Sequence, residues 1–461
     1  RHFETFHEIQ QPTYASKLFP GQGLFLALGQ AALGNPWWGV VLSVAGMCAL
    51  TTWCVLGFLS SGWALFGGLL LAAQFATTHY WATTYWGGAV AAMGGCLALG
   101  ATGRMLRAPG PAAGALFGLG ASLLAVSRPY DGGVTCLLRL AWLLLAALRR
   151  GRGALRTLCL KSAWSMALIG GCGLAGLLVY NHAVTGNAFR LPYIAYSERY
   201  EPNILLTAPG VPIPDANIPP EMRRYNREWS IPAAVLESTL PGKAYGLLRR
   251  SDTLISMLNP TMVLGLCATV PALPALAAIR PLVVILGLGI LSTYISAWIN
   301  QHYLAPLLPV ATVMCLTALR LLRCLRLRGR PVGLALVRLL PAVVVALGIW
   351  DCAQYAARPQ SDNYRKALVR EGLRRELLTM GGEHLVVVSY APDANVHAEW
   401  VYNAADIDAS PIVWSRDLGP RENEALFAYF KDRRIWCATV GLSSISVKAC
   451  PAGNTEATAT R

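Results

Sequence analysis

The run 304-LAPLLPVATVMCLTALRLLRCLRLRGR-330 opens with sixteen residues that carry no charge and closes with five arginines among the last eleven. Sixteen such residues approach the length a helix needs to cross a hydrocarbon core about 30 Å thick. Arginines massed against one end of a span mark its cytoplasmic side. Reading outward, runs of the same kind fall at 39–60, 63–79, 86–103, 111–127, 133–148, 162–180, 261–279 and 282–298, and a last one at 331–351. A shorter apolar run, Gly23–Gly34, is bracketed by Pro20 and Pro36 and reads as an interfacial or re-entrant helix.

Composition agrees with this reading. Hydrophobic residues make up 54% of the 461 and charged residues only 14%, against about 25% in soluble domains. The shortfall is confined to roughly 39–350, and from about Gln354 the chain reads like an ordinary soluble domain. The expected fold is mainly α, a polytopic bundle of about ten transmembrane helices with a small C-terminal α/β domain. The expected divisions are 1–38, a membrane region 39–352 holding a large loop 181–260, and a domain 353–461.

The net charge of +15 would suggest nucleic acid in a soluble protein. Here the basic residues sit between apolar runs, and no nucleic-acid motif accompanies them, so no nucleic-acid partner is expected. The clusters are Arg104 with Arg107, then Arg149, Arg150, Arg152, Arg156 and Lys161, then Arg280, then Arg320 to Arg330. If every run crosses, all of them share one face. The opposite short loops hold only Arg128 as a fixed positive charge. The arginine-rich face is therefore expected to be cytoplasmic, and the loop 181–260 and the C-terminal domain external, in a bacterial cytoplasmic membrane. The chain opens on Arg1 rather than Met and on mid-domain sequence, so its true N-terminus is expected further upstream, and the external position of this start implies at least one more helix before it.

The C-terminal domain alternates a strand-like run, His384–Tyr390, a helical spacing at Asn423–Asp432 and a second strand-like run, Arg434–Val440, before a tail at 454–461. An external position puts Cys437 and Cys450 in an oxidising compartment, at a separation a β-hairpin can close, where they can pair or stay free. The remaining cysteines mostly fall inside spans and read as small apolar packing residues.

Polar residues on the arginine-poor side are the candidates for chemistry. The loop around His79, Tyr80, Trp81, Tyr85 and Trp86 puts four aromatic rings and a histidine in one turn. It suits either an aromatic belt at the interface or a platform for a sugar or prenyl chain. Ser127–Gly133 places Arg128 and Asp131 at one mouth, where they can pair or offer a phosphate ligand and a carboxylate. Asn300–Pro306 supplies His302 and Tyr303. Arg139, inside its span, can snorkel, pair or reach a cavity and bind an anion. Tyr193, Tyr196 and Tyr200, with the start of the 181–260 loop, can line a cleft or belong to a plain surface loop. His397, Glu399, Trp400, Tyr402, Asp406 and Asp408 suit carbohydrate or ordinary packing. No zinc spacing, P-loop or nucleophile elbow occurs, and His2 and His7 with Glu4 and Glu8 make only a weak metal set.

Five stretches resemble the bacterial GT-C glycosyltransferases, and most of all the family 39 group of protein mannosyltransferases and aminoarabinose transferases. They are Pro12–Gly23, Gly34–Trp38, Tyr85–Gly88, Ser127–Gly132 and His302–Pro306. The resemblance implies transfer of a sugar from a polyprenyl-phosphate donor to a glycan, lipid or protein acceptor on the external face. It implies no certain cofactor and leaves a divalent cation open. Such chemistry needs cations for the phosphate, assigned to Lys17, Arg128 and His302 with Tyr303, and a carboxylate as base. His79, Tyr80, Tyr85, Trp86, Tyr193 and Tyr196 would line the substrate cavity. In that family the acidic motif follows the first transmembrane helix, which this reading puts upstream of Arg1. Glu4 and Glu8 match it at neither position, and Asp131 stands as a substitute. The competing reading is a non-enzymatic membrane protein, either a transporter or flippase or a lipid-binding scaffold of envelope assembly.

Overall fold

The computed structural model describes residues 1–76, 79–201, 218–272, 279–296, 298–358, 361–442 and 444–450. Thr77, Thr78, residues 202–217 of the long loop and the tail 454–461 lie outside them.

Among the described residues, six helices are long and apolar enough to cross a membrane: Trp37–Leu56, Ala89–Arg107, Pro129–Arg149, Arg152–Thr185, Ala305–Leu322 and Val332–Ala357. The other four expected spans are shorter apolar helices, Ser61–Phe75, Pro111–Ala125, Pro260–Pro271 and Arg280–Ile295. A 15-residue helix covers about 22 Å, short of a core about 30 Å thick. Prolines open three of them, Pro111 the second, Pro260 the third and Pro281 the fourth.

Several helices run past their expected ends, some far enough to take in candidate or basic residues of the neighbouring loop. The expected span 162–180 is part of one rod, Arg152–Thr185, 34 residues long. It absorbs the basic residues Arg152, Arg156 and Lys161 through a single π-turn at Cys159–Ala163. Pro129 takes the first helical position after Arg128, where its missing N–H costs nothing. Asp131 thereby moves from the expected loop into the first turn of Pro129–Arg149.

Ala89–Arg107 and Ala305–Leu322 are the most buried of the six and form the middle of the bundle. Small residues let backbones approach there. A Cβ on Gly95 would stand 2.7 Å from the Pro306 carbonyl, so this glycine seats the turn carrying His302 directly on the central helix. Arg139 is fully buried and donates to that same carbonyl at 2.9 Å. It forms no ion pair with a carboxylate among the described residues, and its Nε and Nη1 are buried without hydrogen-bond partners there.

The basic residues gather at one end of the bundle. Arg104 donates to the Trp53 carbonyl and lies 3.8 Å over the Trp53 ring, while Arg107 donates to the carbonyls of Leu56 and Gly57. Arg150 bonds the Leu106 carbonyl, and Arg323 and Arg326 line a cavity with Ser60 and Trp63. Cations on the last carbonyls of a helix are favoured by its dipole.

The opposite end carries an N-terminal arm with a two-residue hairpin, β1 (Glu8–Ile9) and β2 (Ala15–Ser16). It also carries the helices Pro192–Tyr200, Pro220–Tyr225, Ile231–Ser238 and Leu240–Ser256. The C-terminal domain pairs the helix Asp362–Met380 with a four-stranded sheet made of β3 (His384–Tyr390), β4 (Ile412–Arg416), β5 (Arg434–Val440) and β6 (Ile445–Ala449). The strand order is β4-β3-β5-β6, with β3 parallel to both neighbours and β6 antiparallel to β5. The expected strands 384–390 and 434–440 stand as read, and the expected helix occupies Pro420–Tyr429. Cys437 and Cys450 are joined by a disulfide across the β5–β6 hairpin, with their Cα atoms 5.3 Å apart.

Arg416, only 2% exposed, ties the layer together. Its guanidinium pairs with Glu221 at 2.7 Å and with Glu399, and its Nε donates to the Glu4 carbonyl at 3.0 Å. Removing one partner from a buried pair strands the other charge at a cost of about 3–5 kcal/mol. Arg416→Ala is therefore expected to undock the domain. Hydrogen exchange should show lost protection at 220–228 and in the N-terminal arm, with the bundle unchanged, whereas unchanged protection would refute this role.

Candidate functional site

Three short turns and the N-terminal arm meet at the arginine-poor end, and a string of rings joins them. His7 lies edge-on to Trp86 with centroids 6.0 Å apart. Trp86 stacks on His302 at 5.4 Å, and His302 stacks on Tyr303 at 4.9 Å. The Arg128 guanidinium sits 4.3 Å over the Tyr303 ring. Four segments distant in sequence thus contribute to one surface.

His302 is held on two sides. The Tyr80 hydroxyl accepts from the His302 backbone N–H at 3.1 Å and lies 2.9 Å from Nδ1. With one lone pair taken by the backbone N–H, the hydroxyl keeps a proton and a second lone pair for Nδ1, so the contact fits either tautomer of the ring. Burial pushes the Tyr80 hydroxyl up to about 12, so it stays a donor at neutral pH. Trp86, half-exposed, offers the open face of the string.

Lys17 behaves differently from its expected role. Its ammonium is buried, 2.6 Å from Glu201, with the Tyr196 ring at 4.1 Å and the Tyr193 ring at 4.9 Å. Burial pulls it below the ordinary lysine value, with Glu201 opposing. A cation already neutralised by a carboxylate has little left for a phosphate, so Lys17 reads as the keystone between the arm and the helix Pro192–Tyr200. Arg128 forms no ion pair among the described residues, and its guanidinium rests on the Tyr303 ring.

The carboxylates separate into three environments. Glu4 is buried and accepts from Arg199 at 2.7 Å and from the Tyr200 hydroxyl at 3.2 Å, a structural arrangement. Asp131 is buried in the first turn of its helix. Glu8 is bonded by Tyr14 but leaves Oε2 buried without a partner. Burial first, then the nearby Glu399, pushes the Glu8 carboxyl up to about 6. His7 beside it is pushed down to about 3 by burial, so it is neutral, and its Nδ1 is without a partner.

Two expected lining residues stand apart. His79 caps the short helix Tyr80–Thr83 by accepting from Trp81 N–H, and it faces a cavity of about 390 Å³ with Gln74, Asn259 and Asp351. Tyr85 is exposed and joins no ring of the string. The weak metal set does not converge, since His2 bonds Asn423 and Glu4 bonds Arg199. No group of three or more His, Cys, Asp or Glu among the described residues is placed to hold a metal ion.

The sequence reading missed Glu201, Tyr225 and Trp298. Tyr225 stacks with Trp298 at 6.4 Å and meets Phe6 and His397 edge-on at 5.3 Å and 5.7 Å. For Glu201 a signal existed, because Tyr193, Ser197 and Glu201 recur every four residues along one helix face. Beyond His397 lies a cavity of about 490 Å³ at the carboxyl ends of β3 and β4, whose lining includes Ser389, Tyr390, Glu399, Arg416, Glu221 and Arg224. Crevices at that end of parallel strands are where open α/β sheets bind ligands.

The helices define a membrane protein, and the candidate site is the place where aromatic turns, an N-terminal arm and a small α/β domain meet. In comparisons with known proteins the chain matches no family model, no curated protein and no solved structure.

If Lys17 is a keystone rather than a ligand, Lys17→Ala should destabilise by about 3–5 kcal/mol by stranding Glu201. The double variant Lys17→Met with Glu201→Leu should unfold thermally close to wild type. A double variant as unstable as the single one would refute the pairing.

Proposed function

We propose that this chain is a membrane glycosyltransferase of the bacterial cytoplasmic membrane. On this reading it moves a sugar from a polyprenyl-phosphate donor to a glycan, lipid or protein acceptor on the external face. The ten apolar helices, the four short ones included, all cross, and the arginine-rich end is cytoplasmic. The observation that carries the reading is the string of rings from His7 through Trp86 and His302 to Tyr303 at the arginine-poor end, with the Arg128 guanidinium over its Tyr303 end and the raised Glu8 carboxyl beside His7 at the other.

The donor's lipid stays in the bilayer and its phosphate reaches Arg128 at the mouth. The sugar lies along Trp86, whose face suits the C–H side of a pyranose. The acceptor hydroxyl attacks the anomeric carbon, and the bond from that carbon to the phosphate oxygen breaks. The electron pair leaves on the phosphate, where Arg128 offsets the developing charge. The hydroxyl proton passes to Glu8, whose raised value suits a base working near neutral pH. Asp131 orients Arg128, and the cavity beside β3 and β4 receives the acceptor.

The test is transfer of label from a panel of radiolabelled polyprenyl-phosphate sugars by the full-length protein in membranes. Glu8→Gln should lower kcat by about 10²–10⁴-fold, the usual contribution of a positioned base. Arg128→Ala should weaken donor use roughly tenfold or more, as loss of a charged hydrogen bond does. The base acts when ionised and its value is raised, so kcat/KM should fall as pH drops through about 6. That acid limb should vanish in Glu8→Gln. Transfer that survives both substitutions would remove the site, and donor binding without transfer would favour a lipid carrier or scaffold.

A further inference from the structure

The helix Leu240–Ser256 is built inside out for a protein in water. Its buried side carries Gly242, Gly246, Arg250 and a single leucine, Leu254, while Leu240, Leu247, Leu248 and Ile255 are 81%, 42%, 68% and 45% exposed. At 100° per residue those four fall on one arc, together with Ala244 and Ser251. Soluble helices put the leucines inward.

The inward face shows why the helix cannot turn over. Arg250 is fully buried and bonds Glu237 through both terminal nitrogens, at 2.8 Å and 3.1 Å. Its Nε donates to Thr293 Oγ1 at 3.0 Å, Nη2 donates to the Ser296 carbonyl at 2.7 Å, and the Tyr294 ring covers it at 3.8 Å. A Cβ on Gly242 would stand 1.6 Å from the Leu236 carbonyl, so that side tolerates no bulk. The charged clamp thus fixes the leucine stripe outward, at the end of the helix Arg280–Ser292. That neighbour exposes Val284, Leu288 and Leu291 at the spacing of one face. The two apolar surfaces meet where Arg250 joins Thr293.

We infer that Leu240–Ser256 lies in the interfacial layer of the bilayer, with its leucine stripe in the acyl chains and Lys243 and Tyr245 among the headgroups. The occupant of the exposed stripe is lipid, because the stripe continues the apolar surface of a helix in the spanning bundle. Flanking cationic and aromatic residues are those that favour this layer. The helix also bears on the site, since Gln301, next to His302, donates to Ser256 Oγ at 2.9 Å. The depth of the helix in the membrane then sets the height of the His302 turn. The inference rests on the membrane reading and not on the transferase chemistry.

The test places a photoreactive side chain in the full-length protein in native membranes: Leu248→p-benzoylphenylalanine, Leu240→p-benzoylphenylalanine, Asp252→p-benzoylphenylalanine and, as reference, Leu288→p-benzoylphenylalanine. After illumination, peptides are read for lipid-mass adducts. Adducts at 248 and 240 comparable with 288, and at least fivefold weaker at 252, are expected. Adducts at 288 with none at 248 and 240, or crosslinks from 248 and 240 to protein, would overturn the inference. Adducts at none of the four would remove the membrane reading and the inference with it, without touching label transfer as a separate question.

Discussion

Arg416 sits at the end of β4 with its charge out of water, and a guanidinium there is tolerable only if carboxylates and carbonyls surround it. Its partners come from three separate stretches: the arm at Glu4, the helix Pro220–Tyr225 at Glu221 and the C-terminal domain at Glu399. Satisfying one side chain therefore assembles the whole layer over the cleft. Neighbouring bonds reinforce it, with Arg224 donating to the carbonyls of Pro392 and Ala394 and the backbone N–H of Arg416 donating to the His2 carbonyl. The domain is bonded to the loops of the bundle rather than held by a tether alone.

Beneath that layer, the cleft divides its labour by electrostatic state. Paired charges such as Lys17 with Glu201 and Glu4 with Arg199 hold the arm in place and have no charge to spare. Arg128, covered on one face by a ring, and Glu8, kept near neutrality by burial, are the groups with unspent capacity. Perturbed groups that sit in a cleft beside exposed aromatic surface are candidates for chemistry. The rings between them provide a surface that needs no charge to hold a ligand.

Much of this was legible in the sequence, because lipid imposes a severe rule on composition. The apolar runs and the strands His384–Tyr390 and Arg434–Val440 follow from runs that admit few alternatives. The turns bearing Trp86, Arg128 and His302 could be read as neighbours, since alternate loops fall on one side. What escaped is tertiary. The pairing of Lys17 with Glu201 spans 184 positions and leaves no local mark. β4 and β6 are five residues each and look like loop until β3 and β5 offer them edges. Asp131 read as loop because Arg128 and Pro129 precede it, yet Pro129 starts a helix rather than ending one. The four short helices show the limit of hydropathy, which sees an apolar run but not how much of it is helical.

The rod Arg152–Thr185 carries one last implication. At 1.5 Å per residue its 34 residues span about 51 Å, far more than a hydrocarbon core about 30 Å thick can cover at ordinary tilts. Its charged first turns cannot enter lipid, so about 15 Å of helix, from Arg152 to Lys161, must stand clear of the membrane as a stiff spur. The charges that orient the protein are then displayed on a rigid post instead of a slack loop. A post fixes their distance from the lipid surface, so their pull on anionic headgroups is geared to the axial position of the whole rod. At its far end Thr13 of the arm bonds the Ala183 carbonyl. A shift of the rod along its axis would be transmitted to the roof of the cleft on the other side of the bilayer.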